Sequence, residues 1–518
     1  MLLCSVALRA RVMGLLGKYK RQLLNFAAVL ALASILLWPA YVNGEPFYMT
    51  DTSSYLRGAD AAAHWLTGHR TVWTDELFHR YGANPQANGP NSPRGDVPVV
   101  LAGRSIYYGL LLYLCQFLGN FWALAILQAV LVSSSIAITI DVLQRPLNRK
   151  PGSKPLALRI LLLGTCLAAF TPVAYFASYL MPDIFGALGL LAFAQLAFLW
   201  KQNGRATRAF WFVLLLAAML FHTANFLLIG LLTASPAASV ALKLAPPKAQ
   251  FPAIGLALVL AIMGQAFFTW SVKHATGAAP VRPPFVAARI IDDGPGYDYL
   301  RENCPEAKLV FCRATSFRTK ISDSLLWSQD PHLSIFQALS PSEQRLASAQ
   351  QKQFILDVLA DRPLQLMQSS AAAIFRQATH FDLVSFNYTP QNIEYFTQKL
   401  PKSFLDQARL SRAFRGNMPV RFVEWSTVVA VLASLLVISR TLFMDVRQNG
   451  RLSSEGSWVA ALVLGVLLNA AVCGALSTPK GRYQMRLIWV LPLAALVTLP
   501  RRKRVVVRGT MGKVRSAT

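Results

Sequence analysis

Two isolated carboxylates, Asp51 and Asp183, each follow an apolar stretch of the sequence by a few residues. Asp51 opens TDTSSYLRGAD after the first hydrophobic run, and Asp183 lies in SYLMPDIF between two later runs. A carboxylate at the end of an apolar run can accept a proton from a substrate hydroxyl or bind a cation. It can also cap a helix or complement its dipole. For Asp51 the two roles are compatible, and for Asp183 both stay open.

A second group of residues that could do chemistry is basic. Lys480, Arg482 and Arg486 cluster in STPKGRYQMR, and Arg104 lies in AGRSIYYG. Guanidinium and ammonium groups bind phosphate through charge-assisted hydrogen bonds, so all four are candidate phosphate ligands. The alternative for the STPKGRYQMR cluster is general contact with lipid headgroups. His222, in FHTANF, is a candidate substrate contact, although a histidine at a span end is more often a hydrogen-bonded interfacial residue.

The elements that must position these residues are membrane spans. Of 518 residues, 54% are hydrophobic and 14% are charged, which excludes an ordinary soluble enzyme. Runs of about twenty apolar residues match the thickness of a bilayer. We predict an all-α polytopic membrane protein with about ten transmembrane helices. The predicted spans are 22–42, 119–143, 156–178, 184–200, 209–222, 226–243, 252–270, 422–440, 456–476 and 484–500.

The run 105–118 is too short to cross a bilayer, and we predict an interfacial or re-entrant helix there. Lys and Arg, which give a formal net charge of +27, concentrate in the short connections between spans and at the basic C-terminal end. This is the positive-inside pattern, so we predict that both termini are cytoplasmic and that the basic excess does not bind nucleic acid. The first span is predicted to be a retained anchor, because no small-residue cleavage site follows it.

This topology places two long segments outside, and we predict three regions. Residues 1–270 form a transmembrane module whose first external loop, 43–104, begins with an amphipathic helix at Asp51. Residues 271–421 form an external, mostly helical segment, and residues 422–518 form the last spans and a basic cytoplasmic tail. The external segment contains Cys304 and Cys312, and a close pair of cysteines in an oxidising compartment predicts a disulfide.

The arrangement resembles the GT-C superfamily of integral-membrane glycosyltransferases, which includes the protein O-mannosyltransferases and the aminoarabinose transferases of bacterial lipid A. TDTSSY and SYLMPD stand where that family carries the acids of its first and second external loops. The resemblance covers roughly residues 20–270 by architecture. RPPFVAARIIDDGPGYDYLRENCP and LSTPKGRYQMRLIWVLP also resemble segments of uncharacterised bacterial membrane proteins allied to this group.

The resemblance implies transfer of a sugar from a polyprenyl-phosphate donor to an acceptor at the outer face of a bacterial inner membrane. It implies Asp51 as the base, Asp183 as a residue that orients the acceptor or shares a cation, and the basic cluster as the phosphate site. The family often has paired acids in its first loop, whereas Asp51 is followed by Thr52, Ser53 and Ser54. A divalent cation held by Asp51 and Asp183 is therefore left open, and no other cofactor is expected.

Two other function classes fit a many-span protein with a basic site. A flippase or exporter of lipid-linked sugars usually places polar groups at mid-membrane depth, whereas the charges here collect at span ends. A non-catalytic envelope-assembly protein built on the same fold is the third class. Walker, GxSxG, HExxH and dinucleotide-binding motifs do not occur in the sequence, so ATP-driven or nicotinamide-dependent chemistry has no support.

Overall fold

The computed structural model describes residues 2–68, 71–73, 99–145, 154–241 and 251–499. Within these ranges the chain is all-helical apart from two isolated parallel bridges, Phe47 with Tyr179 and Leu101 with Val281. The helices before the long polar segment are α1 Leu2–Leu36, α2 Trp38–Asn43, α3 Thr50–Thr67, α4 Ile106–Gly119, α5 Phe121–Gln144, α6 Leu156–Phe170, α7 Val173–Ala177, α8 Ile184–Phe198, α9 Arg205–Phe221, α10 Thr223–Ala241 and α11 Pro252–Thr276.

The segment between α11 and the next long apolar helix, residues 277–419, is called the connecting segment. Its helices are α12 Phe285–Asp292, α13 Pro295–Asn303, α14 Ser322–Trp327, α15 Pro341–Asp361, α16 Pro363–Thr379, α17 Pro390–Lys399 and α18 Lys402–Ala408, with short 3₁₀ turns at Val310–Ser316 and Val384–Phe386. The last helices are α19 Val420–Asn449, α20 Ser454–Leu476, α21 Gly481–Ile488 and α22 Val490–Thr498.

Each predicted span coincides with one helix or with two consecutive helices. Five stretches in the described residues are long and apolar enough to cross a membrane, Tyr19–Asn43, Phe121–Gln144, Pro252–Thr276, Val420–Asn449 and Ser454–Leu476, and several shorter apolar helices accompany them. The predicted span 156–178 is divided between α6 and α7 near Pro172, where proline cannot donate the helical hydrogen bond. The chain is thus an all-α protein with the character of a membrane protein.

Helix α8 lies at the centre of the bundle. All of its residues from Ile184 to Ala197 are buried, and it packs against α9, α20 and α21. Small residues allow this close packing: a Cβ added at Gly189 would lie 2.6 Å from Ala218 Cβ. Apolar helices commonly approach one another through such small residues in membranes, and the packing holds Asp183 at the N-terminus of α8 among its neighbours.

The connecting segment contributes to two apolar cores. Residues from Val281 to Val358 form a core of their own together with Val99. Residues from Leu383 to Met418 join the main core of the bundle. The predicted disulfide is confirmed, since Cys304 and Cys312 are linked with their Cα atoms 5.7 Å apart. Helix α15 ends at Asp361, because Pro363 cannot continue the helical hydrogen bonding and begins α16 instead.

Hydrogen bonds tie the two acid-bearing loops together. Phe47 N–H donates to Ser178 O at 3.0 Å, and Leu180 N–H donates to Phe47 O at 3.0 Å. Thr52 Oγ1, in the first turn of α3, donates to Leu180 O at 3.1 Å. The start of α3 is thereby fixed against the SYLMPD loop that precedes α8, so the two acids belong to one part of the fold.

Candidate functional site

Five charged side chains from four parts of the sequence meet at one place. We call this group the arginine–carboxylate cluster, and it consists of Asp51, Arg104, Asp183, Arg482 and Arg486. Asp183, Arg482 and Arg486 are buried, with relative exposures of 3%, 8% and 1%. Asp51 and Arg104 are less enclosed, with side-chain exposures of 19% and 25%. The two acids that the sequence singled out therefore converge with most of the basic candidates.

Asp51 faces two arginines rather than the end of its own helix. The N-cap of α3 is Met49, whose backbone N–H donates to Thr52 Oγ1 at 2.9 Å. Of the two roles left open for Asp51, capping of α3 is therefore not the one that the structure shows. Its Oδ1 accepts from Arg104 Nη2 at 2.5 Å, and its Oδ2 lies 4.0 Å from Arg482 Nη2. The Asp51 carboxylate does not cap the helix and contacts the arginines of the cluster instead.

Arg104 reaches Asp51 because α3 and α4 pack closely. Ser105 caps α4 by accepting from Tyr108 N–H, and its own Oγ donates to Leu220 O at 2.7 Å. Gly109 permits the close approach, since a Cβ there would lie 2.6 Å from Tyr55 O. Arg104 thus serves first as the ion-pair partner of Asp51, a role that its prediction as a phosphate ligand did not include.

Asp183 is the N-cap residue of α8 by position, but its side chain makes no capping hydrogen bond. Its Oδ1 lies 3.5 Å from Arg486 Nη1 instead. Arg486 Nη2 donates to Asn469 Oδ1 at 3.3 Å. Since Asn469 Nδ2 also donates to Tyr483 O at 2.8 Å, α20 supports the same turn of α21 that carries Arg486.

Arg482 and Arg486 lie one turn apart on α21, and both approach the same aromatic ring. Their guanidinium carbons are 5.1 Å and 5.5 Å from the ring centroid of Tyr483. Arg482 Nη1 also donates to Tyr179 Oη at 3.5 Å. Residues four apart on a helix share a face, so α21 presents both guanidinium groups together, and the Tyr483 ring attracts both cations.

Within the described residues, the buried Nε atoms of Arg482 and Arg486 have no hydrogen-bond acceptor. Arg486 Nη1 also makes no hydrogen bond there, although it is ion-paired with Asp183. Buried guanidinium groups are normally hydrogen-bonded, because an unmade hydrogen bond to a charged group is costly. The cluster also contains three cations and two anions, so it has one excess positive charge. Both facts indicate a site built to receive an anion.

His222 lies beside the cluster at the junction of α9 and α10. The positive charges of Arg486, Arg104 and Arg482 lie close enough to act on its ring. Its Nδ1 accepts from Ala224 N–H at 3.2 Å, so Nε2 is its remaining donor. His222 is therefore placed for contact with a bound anion.

Lys480 differs from its two neighbours in STPKGRYQMR. Its Nζ lies 2.7 Å from Asp323 Oδ2 in α14, and both side chains are substantially exposed, at 34% and 54%. The loop is held there because Lys480 N–H donates to Gln377 Oε1 and Gln377 Nε2 donates to Lys480 O. Lys480 thus closes the outer edge of the site and does not join the buried arginines that were predicted alongside it.

The electrostatics of Asp51 favour its charged form. Burial alone would raise the pKa of this carboxyl, but Arg104, Arg482 and Lys480 outweigh that effect and hold the pKa below its ordinary value. The described residues contain no group of three or more His, Cys, Asp or Glu side chains arranged for a metal. Both acids already face guanidinium groups, which would repel a divalent cation, so the donor set does not fit a metal held by Asp51 and Asp183.

A polar cavity of about 680 Å³ opens on the other side of the loop that precedes α21. It is lined by Asp292, Asp293, Arg376, Thr379, His380, Thr478 and Pro479. The members of the arginine–carboxylate cluster do not line this cavity. The cluster and the cavity are therefore separate features that share the Thr478–Lys480 loop as a border.

Sequence reasoning missed several residues that build the site. Tyr179, Tyr483 and Asn469 contact the arginines, and Trp327 lies with its ring centroid 5.8 Å from the Arg104 guanidinium carbon. Tyr179 and Tyr483 lie inside the two motifs already singled out, and Asn469 is a lone amide in an apolar run, which could have been noticed. Trp327 has no such signal, because more than two hundred residues separate it from Arg104.

Comparison with known proteins adds no family to these observations. The chain matched no family model, and neither the curated proteins nor the solved structures gave a match.

Proposed function

We propose that the protein is a membrane glycosyltransferase of the GT-C type, which moves a sugar from a polyprenyl-phosphate-linked donor to an acceptor hydroxyl. In this proposal the chain crosses the membrane about ten times with both termini cytoplasmic. The arginine–carboxylate cluster then lies at the outer face of a bacterial inner membrane. The acceptor is a lipid, a glycan or a protein.

The observation that carries the proposal is the pair of buried, incompletely hydrogen-bonded guanidinium groups of Arg482 and Arg486 beside two carboxylates. Their two Nε donors, which lack an acceptor among the described residues, suit phosphate oxygens, which accept charge-assisted hydrogen bonds. The cluster's single excess positive charge matches the single negative charge of a phosphodiester. A site for a phosphate next to an ionised carboxylate is the combination that glycosyl transfer requires.

The reaction follows from these placements. The acceptor oxygen forms a bond to the anomeric carbon, and the bond from that carbon to the phosphate oxygen breaks. The phosphate leaves with the electron pair, so its charge rises from about −1 toward −2 as a monoester. Arg482 and Arg486 stabilise this added charge in a site that excludes water, where preorganised donors are most effective. The proton of the acceptor hydroxyl passes to Asp51.

The strength of Asp51 as a base constrains the order of these events. Its lowered pKa keeps it ionised at neutral pH, as a proton acceptor must be, but also makes it a weak base. Departure of the phosphate therefore runs ahead of proton transfer. Asp183 acts through Arg486, since its carboxylate is 3.5 Å from that guanidinium group. It therefore orients Arg486, which binds the phosphate, and does not orient the acceptor.

Purified protein in lipid vesicles tests the proposal. The vesicles contain polyprenyl phosphates that carry different hexoses, and the assay measures release of polyprenyl phosphate together with formation of a glycosylated acceptor. Turnover with at least one donor, abolished in Asp51→Asn, is the expected result. Tight binding of polyprenyl phosphate without any preference over neutral polyprenol would contradict a phosphate site.

The same vesicles separate transfer from transport of lipid-linked sugars. A transporter changes the leaflet in which the intact donor is found, and it leaves the bond between sugar and phosphate unbroken. A transferase breaks that bond. Movement of intact donor that depends on Arg482, with no released polyprenyl phosphate, would replace the proposed function by transport.

A further inference from the structure

Helix α14 of the connecting segment forms the outer wall of the arginine–carboxylate cluster. Leu325 and Leu326 anchor it in the second apolar core. Its start is fixed because Ser322 N–H donates to Asp292 Oδ2 at 2.8 Å. Its end is fixed because Ile335 N–H donates to Leu325 O at 2.8 Å. The helix is therefore a rigid part of the connecting segment.

From this anchored position, one side chain of α14 contacts the cluster and another contacts Lys480. Asp323 pairs with Lys480, and Trp327 lies one turn further along the helix beside Arg104. Residues four apart share one face of a helix, so this face is directed at both edges of the site. Trp327 is only half-buried, and Phe285 supports it with ring centroids 6.0 Å apart.

We propose that Trp327 forms a carbohydrate subsite, in which its indole ring packs against the sugar of the lipid-linked donor next to Asp51. This inference rests on the proposed function. It assigns a binding residue to the sugar, which is the part of the donor that the arginines do not bind. Arg104 joins the two parts, since it contacts the indole ring and the Asp51 carboxylate at once. Sugar rings present apolar C–H faces that a rigid, partly exposed aromatic ring can cover, while polar groups nearby fix the orientation.

The placement of Trp327 divides donor recognition between two helices. Arg482 and Arg486 of α21 bind the phosphate, whatever sugar it carries. Trp327 of α14 contacts the sugar alone. Loss of Trp327 should therefore weaken binding of a sugar-bearing lipid and leave binding of the bare polyprenyl phosphate unchanged, whereas loss of Arg482 should weaken both.

The experiment measures the affinity of two probes, polyprenyl phosphate and polyprenyl-phosphate-linked hexose, for the full-length protein in vesicles. The variants are Trp327→Leu, Trp327→Phe and Arg482→Ala. Trp270→Leu is the matched control, because Trp270 is 61% exposed on α11. We expect Trp327→Leu to lower affinity for the sugar-bearing probe roughly three- to tenfold and to leave the bare phosphate unaffected. Trp327→Phe should keep most of the affinity and also shows that the site folds.

Three results would overturn the subsite. Equal losses for both probes in Trp327→Leu would mean that the indole only supports Arg104. Unchanged affinity for both probes would mean that Trp327 does not contact the donor. The proposed phosphate site would not be affected by that result. If the wild-type protein binds neither probe while remaining folded, the proposed function itself is wrong, and the subsite is wrong with it.

Discussion

The arginine–carboxylate cluster and the Arg313–Glu343 ion pair beside the disulfide-linked core of the connecting segment accommodate charge in opposite ways. Around that core, Arg313 and Glu343 lie 3.9 Å apart with both side chains partly exposed. Glu343 also completes a capping box with Ser340 at the start of α15. In the cluster, Arg486 and Asp183 are 3.5 Å apart with exposures of 1% and 3%, and Arg486 Nε has no acceptor within the described part of the chain.

The difference indicates what each region does. Exposed ion pairs contribute about 0–1 kcal/mol and cost little to maintain. Buried charges lose several kcal/mol of hydration per ion, and apolar replacements are often at least as stable. A buried cluster of this kind is therefore weak evidence for a stabilising role, which supports the proposed phosphate site. The disulfide-linked core, by contrast, has the features of a structural support.

The largest expected effect is that of Asp51→Asn. Because Met49 caps α3, the substitution removes a charge without changing a cap. We expect the transfer rate to fall on the order of 10²- to 10⁴-fold, which is the usual contribution of a general base. The thermal midpoint, measured alongside, reports the separate cost of losing the ion pair with Arg104. Full activity in Asp51→Asn would remove Asp51 as the base.

Arg482 and Lys480 offer the sharpest test of buried against exposed charge, because they are two residues apart. Hydrogen bonds to charged groups contribute about 1.5–3 kcal/mol. Arg482→Ala should therefore weaken donor binding by roughly one to two orders of magnitude. Arg482→Lys should recover only part of this, since an ammonium cannot reproduce the guanidinium fork.

Lys480→Ala removes an exposed ion pair with Asp323, so donor affinity should change less than about fivefold. Arg447→Ala, on the last turn of α19, is a second control and should have no effect. If donor KM changes equally little in all three alanine variants, Arg482→Ala, Lys480→Ala and Arg447→Ala, the cluster contacts only lipid headgroups.

The pH dependence of transfer tests the pairing of Asp51 with Arg104. In the wild-type protein the pKa of Asp51 lies below its ordinary value, so activity should hold from neutral pH down into the acid range before protonation removes the base. Arg104→Gln leaves the burial in place and removes the largest opposing charge, so the pKa of Asp51 should rise. The acid limb of the rate profile should move to higher pH by about one unit or more. An unchanged acid limb would show that some other group controls the profile.

The smallest effect on function is expected from the disulfide. Replacing Cys304 and Cys312 together by serine opens a short loop in the second core and should lower stability by about 2–3 kcal/mol. Donor affinity should not change, because the bridge is outside the cluster. Peptide mass spectrometry without reduction should find the two cysteines linked in the wild-type protein. A large loss of affinity in the folded double variant would contradict the division into support and site.

The sequence was sufficient for local features of this protein. Apolar runs determine where the long helices lie, because any run of that length must hide its backbone polar groups in a helix to enter a membrane. The close spacing of Cys304 and Cys312 in the long polar segment predicted their bridge. Asp51 and Asp183 stood out as isolated acids next to apolar runs. Arg482 and Arg486 stood out because cations at a predicted external span end depart from the positive-inside pattern.

Only the tertiary structure decided which of these charges meet. Lys480 and Arg482 are two residues apart, but the start of α21 directs one to Asp323 and the other into the bundle. Lys480 is the extended N-cap residue that precedes α21, so its side chain does not follow the helical face that carries Arg482. Which face of α21 is buried depends on where α20 and α8 pack.

The same holds for Trp327 and Arg104. They meet because α14 is anchored on a core that residues 281–358 build with Val99, and that core lies next to the loop before α4. Contacts between residues so distant in sequence follow from the packing of whole elements, and no local pattern records them. The types of residue at the site were therefore determined by the sequence, whereas their assembly into one cluster was determined by the fold.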